Sequence, residues 1–226
     1  MKNRALPCSR AARTRLAVLA TCLAVTCAAP AARAGIASPW LSLGALTGAT
    51  RFDAHLADYQ WKVDPRAGWG AQAIAGVGPV GAGVRVWQAR TSQHIEFADT
   101  PNPAVHITSF DLVGRAQLLS RWGVGLEACA SAGRMHLGYS PDHVAVTTSG
   151  SGSIDVALQP VDTWVTGGGL ALRRGLAGPW GAAVEVDTQV FRLDTAHRSG
   201  STIVTGRERF SEWSARFELA RSYGKR

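Results

Sequence analysis

Cysteine is scarce in this chain. Of its four cysteines, Cys8, Cys22 and Cys27 fall within the first 34 residues. Those residues have the layout of a secretory signal peptide. Lys2, Arg4, Arg10, Arg13 and Arg15 come first with no acid among them, residues 16–29 are apolar, and the small residues around Ala32-Arg33-Ala34 precede Gly35. A membrane anchor needs about 20 apolar residues, and this run ends at Pro30. With 1–34 cleaved, Cys129 stands alone. Residues 35–226 can then form neither an internal disulfide nor a cysteine metal cluster, and Cys129 reads as a small packed residue.

A true excess of positive charge is also missing. The whole chain carries 24 basic and 16 acidic residues, a net of +8. The first 34 residues hold six of the basic ones and no acid, so 35–226 carries 18 against 16, a net of +2. That is too small a surplus to argue for a nucleic-acid partner. Lysine is nearly absent from this part: only Lys62 and Lys225 occur, and arginine supplies the rest. No second long apolar run, no linker and no heptad pattern appears. The 192 residues that remain fit one domain.

What fills the chain instead is glycine and period-2 alternation. Along 80–91, Val80, Ala82, Val84 and Val86 oppose Gly81, Gly83, Arg85 and Trp87. Along 110–118, Phe110, Leu112 and Leu118 oppose Asp111, Val113, Arg115 and Gln117. Val124, Leu126 and Ala128 oppose Glu127 and Cys129; Val184, Val186 and Val190 oppose Glu185, Asp187 and Gln189. Trp213, Ala215, Phe217, Leu219 and Tyr223 oppose Ser214, Arg216, Glu218 and Ser222. Successive strand residues point to opposite faces, so each stretch is a strand with one apolar and one polar side. Weaker strands of the same kind cover 39–49, 69–77 and 162–172. The total is eight.

Three similar stretches, GPVGAGVRV at 78–86, SRWGVGLEA at 120–128 and GPWGAAVEV at 178–186, read as tight turns that each launch a strand. Longer polar connections lie at about 51–68, 92–105, 135–161 and 193–209. Short turns alternate with long loops, as in an up-and-down meander. Closing it into a barrel removes both exposed edges, and a closed barrel can cross a bilayer because every backbone group is paired internally. Tryptophan placement supports the crossing. Trp40, Trp122 and Trp180, with Tyr223, fall at the short-turn end; Trp69, Trp164 and Trp213 fall where strands return from long loops. These are expected to form two interfacial aromatic belts, with Trp87 inside by parity.

In these features (signal peptide, alternating strands, short and long connections, aromatic belts) the chain resembles the small outer-membrane β-barrels of Gram-negative bacteria, of the OmpA membrane domain, OmpW and opacity-protein type. The resemblance implies an all-β fold: an eight-stranded antiparallel up-and-down transmembrane β-barrel over 35–226, with short periplasmic turns and long extracellular loops. It implies an outer-membrane location, contact with outer-membrane lipid and lipopolysaccharide, and handling by the barrel-assembly machinery. Such barrels end on an aromatic residue, whereas here Tyr223 is followed by Gly224-Lys225-Arg226.

If the apolar parity faces lipid, the lumen holds Arg85, Asp111, Arg115, Glu127, Glu185, Asp187, Arg216 and Glu218. An eight-stranded interior is just wide enough to be filled by side chains, so these charges are expected to pair and plug the barrel. The expected role is therefore structural or surface-interacting, through the loops and an unknown extracellular partner. No cofactor pattern is present. His55, His94, His106, His136, His143 and His197 lack the spacing of a shared metal site. Arg198, Arg207 and Arg209 are placed to meet lipopolysaccharide phosphates.

Two alternatives stand beside this reading. His197, Ser199 and Glu212 resemble the His-x-Ser and downstream Glu of outer-membrane lipid A deacylases, in which Glu orients His and His activates Ser. Gly200 replaces the Asn that usually follows that Ser, and Glu212 shares the lumen parity. The other alternative is a soluble, lipocalin-like barrel that binds a small ligand. The alternating stretch 144–159 forms a hairpin above the surface, or else two extra strands of a ten-stranded barrel.

Overall fold

The structure, a computed structural model, describes residues 38–94, 102–147, 153–199 and 202–224. The expected signal peptide lies outside these residues. Among the described residues ten strands form: β1 (Pro39–Phe52), β2 (Arg66–Val77), β3 (Val80–Ser92), β4 (Ala104–Arg121), β5 (Val124–Ser140), β6 (His143–Thr147), β7 (Ser153–Ala157), β8 (Val161–Gly175), β9 (Trp180–Ser199) and β10 (Thr202–Gly224). Eight of them close into a barrel in the order β1-β10-β9-β8-β5-β4-β3-β2, and β6-β7 pair as a separate two-stranded sheet. Every neighbouring pair is antiparallel. The barrel is thus eight-stranded and up-and-down, and the 144–159 hairpin stands outside its wall.

Closure is made by β1 against β10, with Trp40 registered on Gly224 and Phe52 on Glu212. The three tight turns lie at the same end as the chain termini of the barrel. Each uses glycine in the left-handed region, where an L side chain is disfavoured: Gly78 (φ 56°), Gly123 (φ 75°) and Gly178 (φ 64°). The turn at 122–123 has positive φ at both residues, Trp122 at 53°, which matches the strand twist of a tight hairpin. The glycine at the fourth position of each of the three similar stretches is Gly81, Gly123 or Gly181, and of these only Gly123 sits in a turn. Gly81 and Gly181 lie inside β3 and β9.

The strands run further toward the other end than alternation indicated. β5 reaches Ser140, β9 reaches Ser199 and β10 begins at Thr202, so much of 135–140 and 193–209 is strand. The reason is a reversal of polarity along β5, β9 and β10. Near the turns, the outward residues are apolar and the inward ones charged. Phe110, Leu112, Leu170, Val184, Val186 and Phe217 are exposed, while Asp111, Glu185, Asp187 and Arg216 are buried. From the level of Trp164 and Trp213 upward, the outward residues are Arg134 and His136 on β5, Arg192 and Asp194 on β9, and Arg207 and Arg209 on β10. The inward ones are Met135, Leu137, Phe191, Leu193 and Phe210.

Those inward apolar residues build a core in the upper barrel, with Phe52, Val105, Ile107 and Val165. The connection after β1 caps it. A 3-10 turn over Ala54–Tyr59 drives Leu56 into the core, and Trp61 packs beside it and bridges to Gln93. Asp53 fixes the turn: its carboxylate accepts from the His55 N–H at 3.1 Å and from the Ser211 N–H and hydroxyl at 3.0 Å.

A charged lumen beneath an apolar mouth as the candidate functional site

All eight charges assigned to the lumen by parity are buried inside the barrel. They meet as one network centred on Glu185 of β9. Its Oε1 accepts from Arg85 Nη1 at 2.6 Å and from Arg216 Nη1 at 3.4 Å, and its Oε2 from Arg115 Nη2 at 2.5 Å. Arg85 also reaches Asp111 at 3.1 Å and Asp187 at 3.3 Å. Arg115 reaches Glu218 at 3.0 Å and Glu127 at 3.6 Å. Arg216 donates to Asp187 at 2.5 Å, and its guanidinium lies 4.8 Å from the Trp87 ring centroid. Isolated burial costs several kcal/mol per ion, so each charge holds at least one opposite partner in contact. Gln189 and Gln72 join by hydrogen bonds to Asp111 and Arg115.

One member was missed in the sequence. Arg173 of β8 donates to Glu218 at 2.5 Å and contacts Glu127 at 3.3 Å. The signal was available: Arg173 shares its parity with Ala171 and Val165, both buried. Cys129 packs within the same layer, its thiol 3.8 Å from Glu185 Oε2.

Trp40 is the correction. Its place at the short-turn end puts it in the aromatic belt, but it is only 3 % exposed and packs with Ile74 and Val113 at the floor of the lumen. Its ring N–H donates to the Gly78 carbonyl at 3.0 Å. Gly76 and Gly81 leave room for the indole, since a Cβ on either would strike the Trp40 ring. The other belt residues do face outward: Trp69, Trp122, Trp164, Trp180, Trp213 and Tyr223 are all exposed. Trp122 and Tyr223 carry arginine guanidinium groups, Arg121 at 4.1 Å and Arg221 at 5.2 Å. Trp87 lies inside, donating to the Thr50 hydroxyl at 3.0 Å.

The His197, Ser199 and Glu212 set is not brought together. Glu212 is buried in the lumen and registered against Gln189, whereas His197 is registered against Val204. Eight residues of β9 separate the two levels, about 26 Å along a strand, far beyond hydrogen-bond reach. The side chains of His197 and Ser199 lie outside the described residues. Among the described residues, no group of three His, Cys, Asp or Glu could hold a metal ion. His55 sits 2.9 Å from Asp58 and 3.0 Å from Glu208, and Tyr59 donates to Glu208 at 2.7 Å. The Glu208 hydrogen bond raises the His55 pKa above its ordinary value, and the Tyr59 hydrogen bond lowers that of Glu208.

No protein-family model and no curated protein matches the chain. Solved structures with a similar arrangement include the N-terminal β-barrel domain of Pseudomonas aeruginosa OprF, at 15% identity over 81% of this chain and 97% of that one, with a TM-score of 0.34. Ail, the attachment invasion locus protein of Yersinia pestis, matches at 11% identity over 82% and 99%, with a TM-score of 0.39. The outer membrane protein AlkL matches at 12% identity over 84% and 92%, with a TM-score of 0.40. The barrel assignment rests on the closed ladder of the chain itself.

Proposed function

We propose that the chain is an integral outer-membrane β-barrel with a structural or surface-interaction role. Its turn-side half crosses the bilayer with a lumen closed by ion pairs, and its upper half stands clear of the membrane. The observation that carries this is the exposed apolar band over a charged lumen, with polarity reversed above it on β5, β9 and β10. A soluble barrel has no reason to expose Phe110, Leu112 and Leu170 while burying Arg85, Arg115 and Arg216; a barrel in hydrocarbon does. The exposed band matches in height. Ten residues separate Trp213 from Tyr223 on β10, which at a usual strand tilt spans about 25 Å, the thickness of the apolar band in such barrels.

With the lumen filled from the Trp40 floor to the apolar mouth, the protein passes little solute. The working surface is then the upper half: the capped mouth, the β6-β7 hairpin and the extended β9-β10 arm. Assembly by the barrel-assembly machinery and contact with lipopolysaccharide follow from the same reading. The test is fractionation combined with electrophoresis and conductance. The protein should sediment with outer membranes, migrate faster on SDS gels when unheated, and give no stable channels in planar bilayers. Recovery in the periplasm without detergent would contradict the reading.

A further inference from the structure

At the level where polarity reverses, one side of the outer wall is lined with arginine. Arg51 on β1 is registered against Trp213. Arg209 on β10 is registered directly against Arg192 on β9, and Arg207 lies two residues above. Arg134 on β5 is registered against Trp164, its guanidinium 5.5 Å from the ring centroid. All five arginines are exposed. Among the described residues, the acids on the outward parity of these strands are Asp194 and Asp162. Asp194 lies 3.7 Å from Arg207 with both side chains largely exposed. Asp162 is 3.1 Å from His136. Like charges placed directly opposite on a sheet are destabilising, so the Arg192–Arg209 pair is an unfavourable arrangement unless an anion sits between them.

The same residues border a groove. The β8-β9 ladder ends at Thr166–Val190. Beyond it the two strands part, bridged by the Thr163 hydroxyl donating to the Arg192 carbonyl at 2.6 Å. The opening is a cavity of about 400 Å³ on the outer wall, lined by Trp164, Thr166, Val190, Arg192, Arg207 and Arg209 among others. Arginine presents a fork of donors that fits phosphate oxygens two at a time, and tryptophan sits at the edge of hydrocarbon.

We propose that this groove binds the phosphorylated sugar headgroup of a glycolipid in the outer leaflet, with Arg192, Arg207 and Arg209 on the phosphate and Trp164 at the boundary with its chains. The proposal rests on the membrane reading above, because the height of the groove makes a lipid headgroup the source of the phosphate. The opposite wall offers an internal control: on β3 the outward arginine past the belt is Arg90, registered against His106.

The test uses the full-length protein refolded into lipid nanodiscs, with retention of added glycolipid counted by native mass spectrometry. The probes are diphosphorylated lipid A, chemically dephosphorylated lipid A and inorganic phosphate. Wild type should retain the phosphorylated form preferentially. The double variant Arg192→Gln/Arg209→Gln should lose about tenfold or more in affinity for it, from the loss of charge-assisted hydrogen bonds. Arg90→Gln should bind as wild type does. Heat-modifiable migration of each variant reports whether it has folded. Equal retention of the two lipid A forms by wild type, or full competition by inorganic phosphate, would overturn the proposal while leaving the membrane reading intact. Failure of the wild type to enter bilayers would remove both.

Discussion

Arg85 on β3 and Glu185 on β9 are 100 residues apart in sequence, and their side chains meet across the lumen at 2.6 Å. Glu185 also accepts from Arg115 and Arg216, so three guanidinium groups share one carboxylate. Glu185→Ala removes the shared acceptor and leaves buried guanidinium donors of all three arginines unsatisfied, while the four remaining acids still balance Arg85, Arg115, Arg173 and Arg216 in charge. The expected cost is about 2–4 kcal/mol of unfolding free energy, from charge-assisted hydrogen bonds lost in a buried site, measured by urea unfolding of the detergent-refolded barrel. Glu185→Gln keeps the shape and loses the charge, and it is expected to fall at the lower end of that range. A cost below about 1 kcal/mol, the value of a surface pair, would mean that the network is solvated.

The floor of the lumen predicts a contrast between two glycines. A Cβ at Gly81 would lie 2.6 Å from the Trp40 ring, whereas at Gly114 it meets nothing within 4 Å. Gly81→Ala should destabilise by about 1–3 kcal/mol through overpacking. Gly114→Ala should be neutral or slightly stabilising, because it restricts the unfolded chain. The same urea midpoints decide it, and equal effects would mean that the indole does not fill the floor.

How far the sequence reveals this molecule differs between its two halves. In the turn-side half, alternation of Val84 with Arg85, or Leu112 with Asp111, fixes both strand and face, because only a two-sided environment demands that pattern. Trp40 was misplaced because aromatic residues near strand ends suggest belts, yet its parity with Ser42 and Leu46, both buried, already pointed inward. In the sequence the upper half reads as polar loops. Its alternation is present, as in Phe191-Arg192-Leu193-Asp194, but with apolar residues inward, and a single rule for which parity faces out cannot span both halves. The Leu56 cap and the β8-β9 parting depend on contacts between distant segments, which periodicity does not encode.

The capping turn predicts a pH dependence. His55 has a raised pKa and Glu208 a lowered one, each from its hydrogen-bonded partner. A raised histidine stabilises docking fully below its unfolded value of 6.5, and that support is lost as pH rises through the folded value. A lowered carboxyl stabilises above its unfolded value of 4.5, and that support is lost as pH falls through the folded value. The turn should therefore be held most firmly between about pH 4.5 and 6.5. Amide hydrogen exchange over 54–61 should be slowest in that window and faster at pH 8 after correction for intrinsic rates. His55→Ala should flatten the upper limb of the profile, and an unchanged profile would show that His55 plays no part in docking.

The central claim is that the exposed apolar band meets hydrocarbon. Its most direct test is nitroxide accessibility in lipid bilayers, using single labels at Leu112→Cys and Leu170→Cys in a Cys129→Ser background. Both positions should collide preferentially with dissolved oxygen over a water-soluble paramagnetic reagent, as residues within a bilayer do, while a label at the outward Asp194→Cys should show the reverse. Preferential collision of the Leu112 and Leu170 labels with the water-soluble reagent would contradict the account.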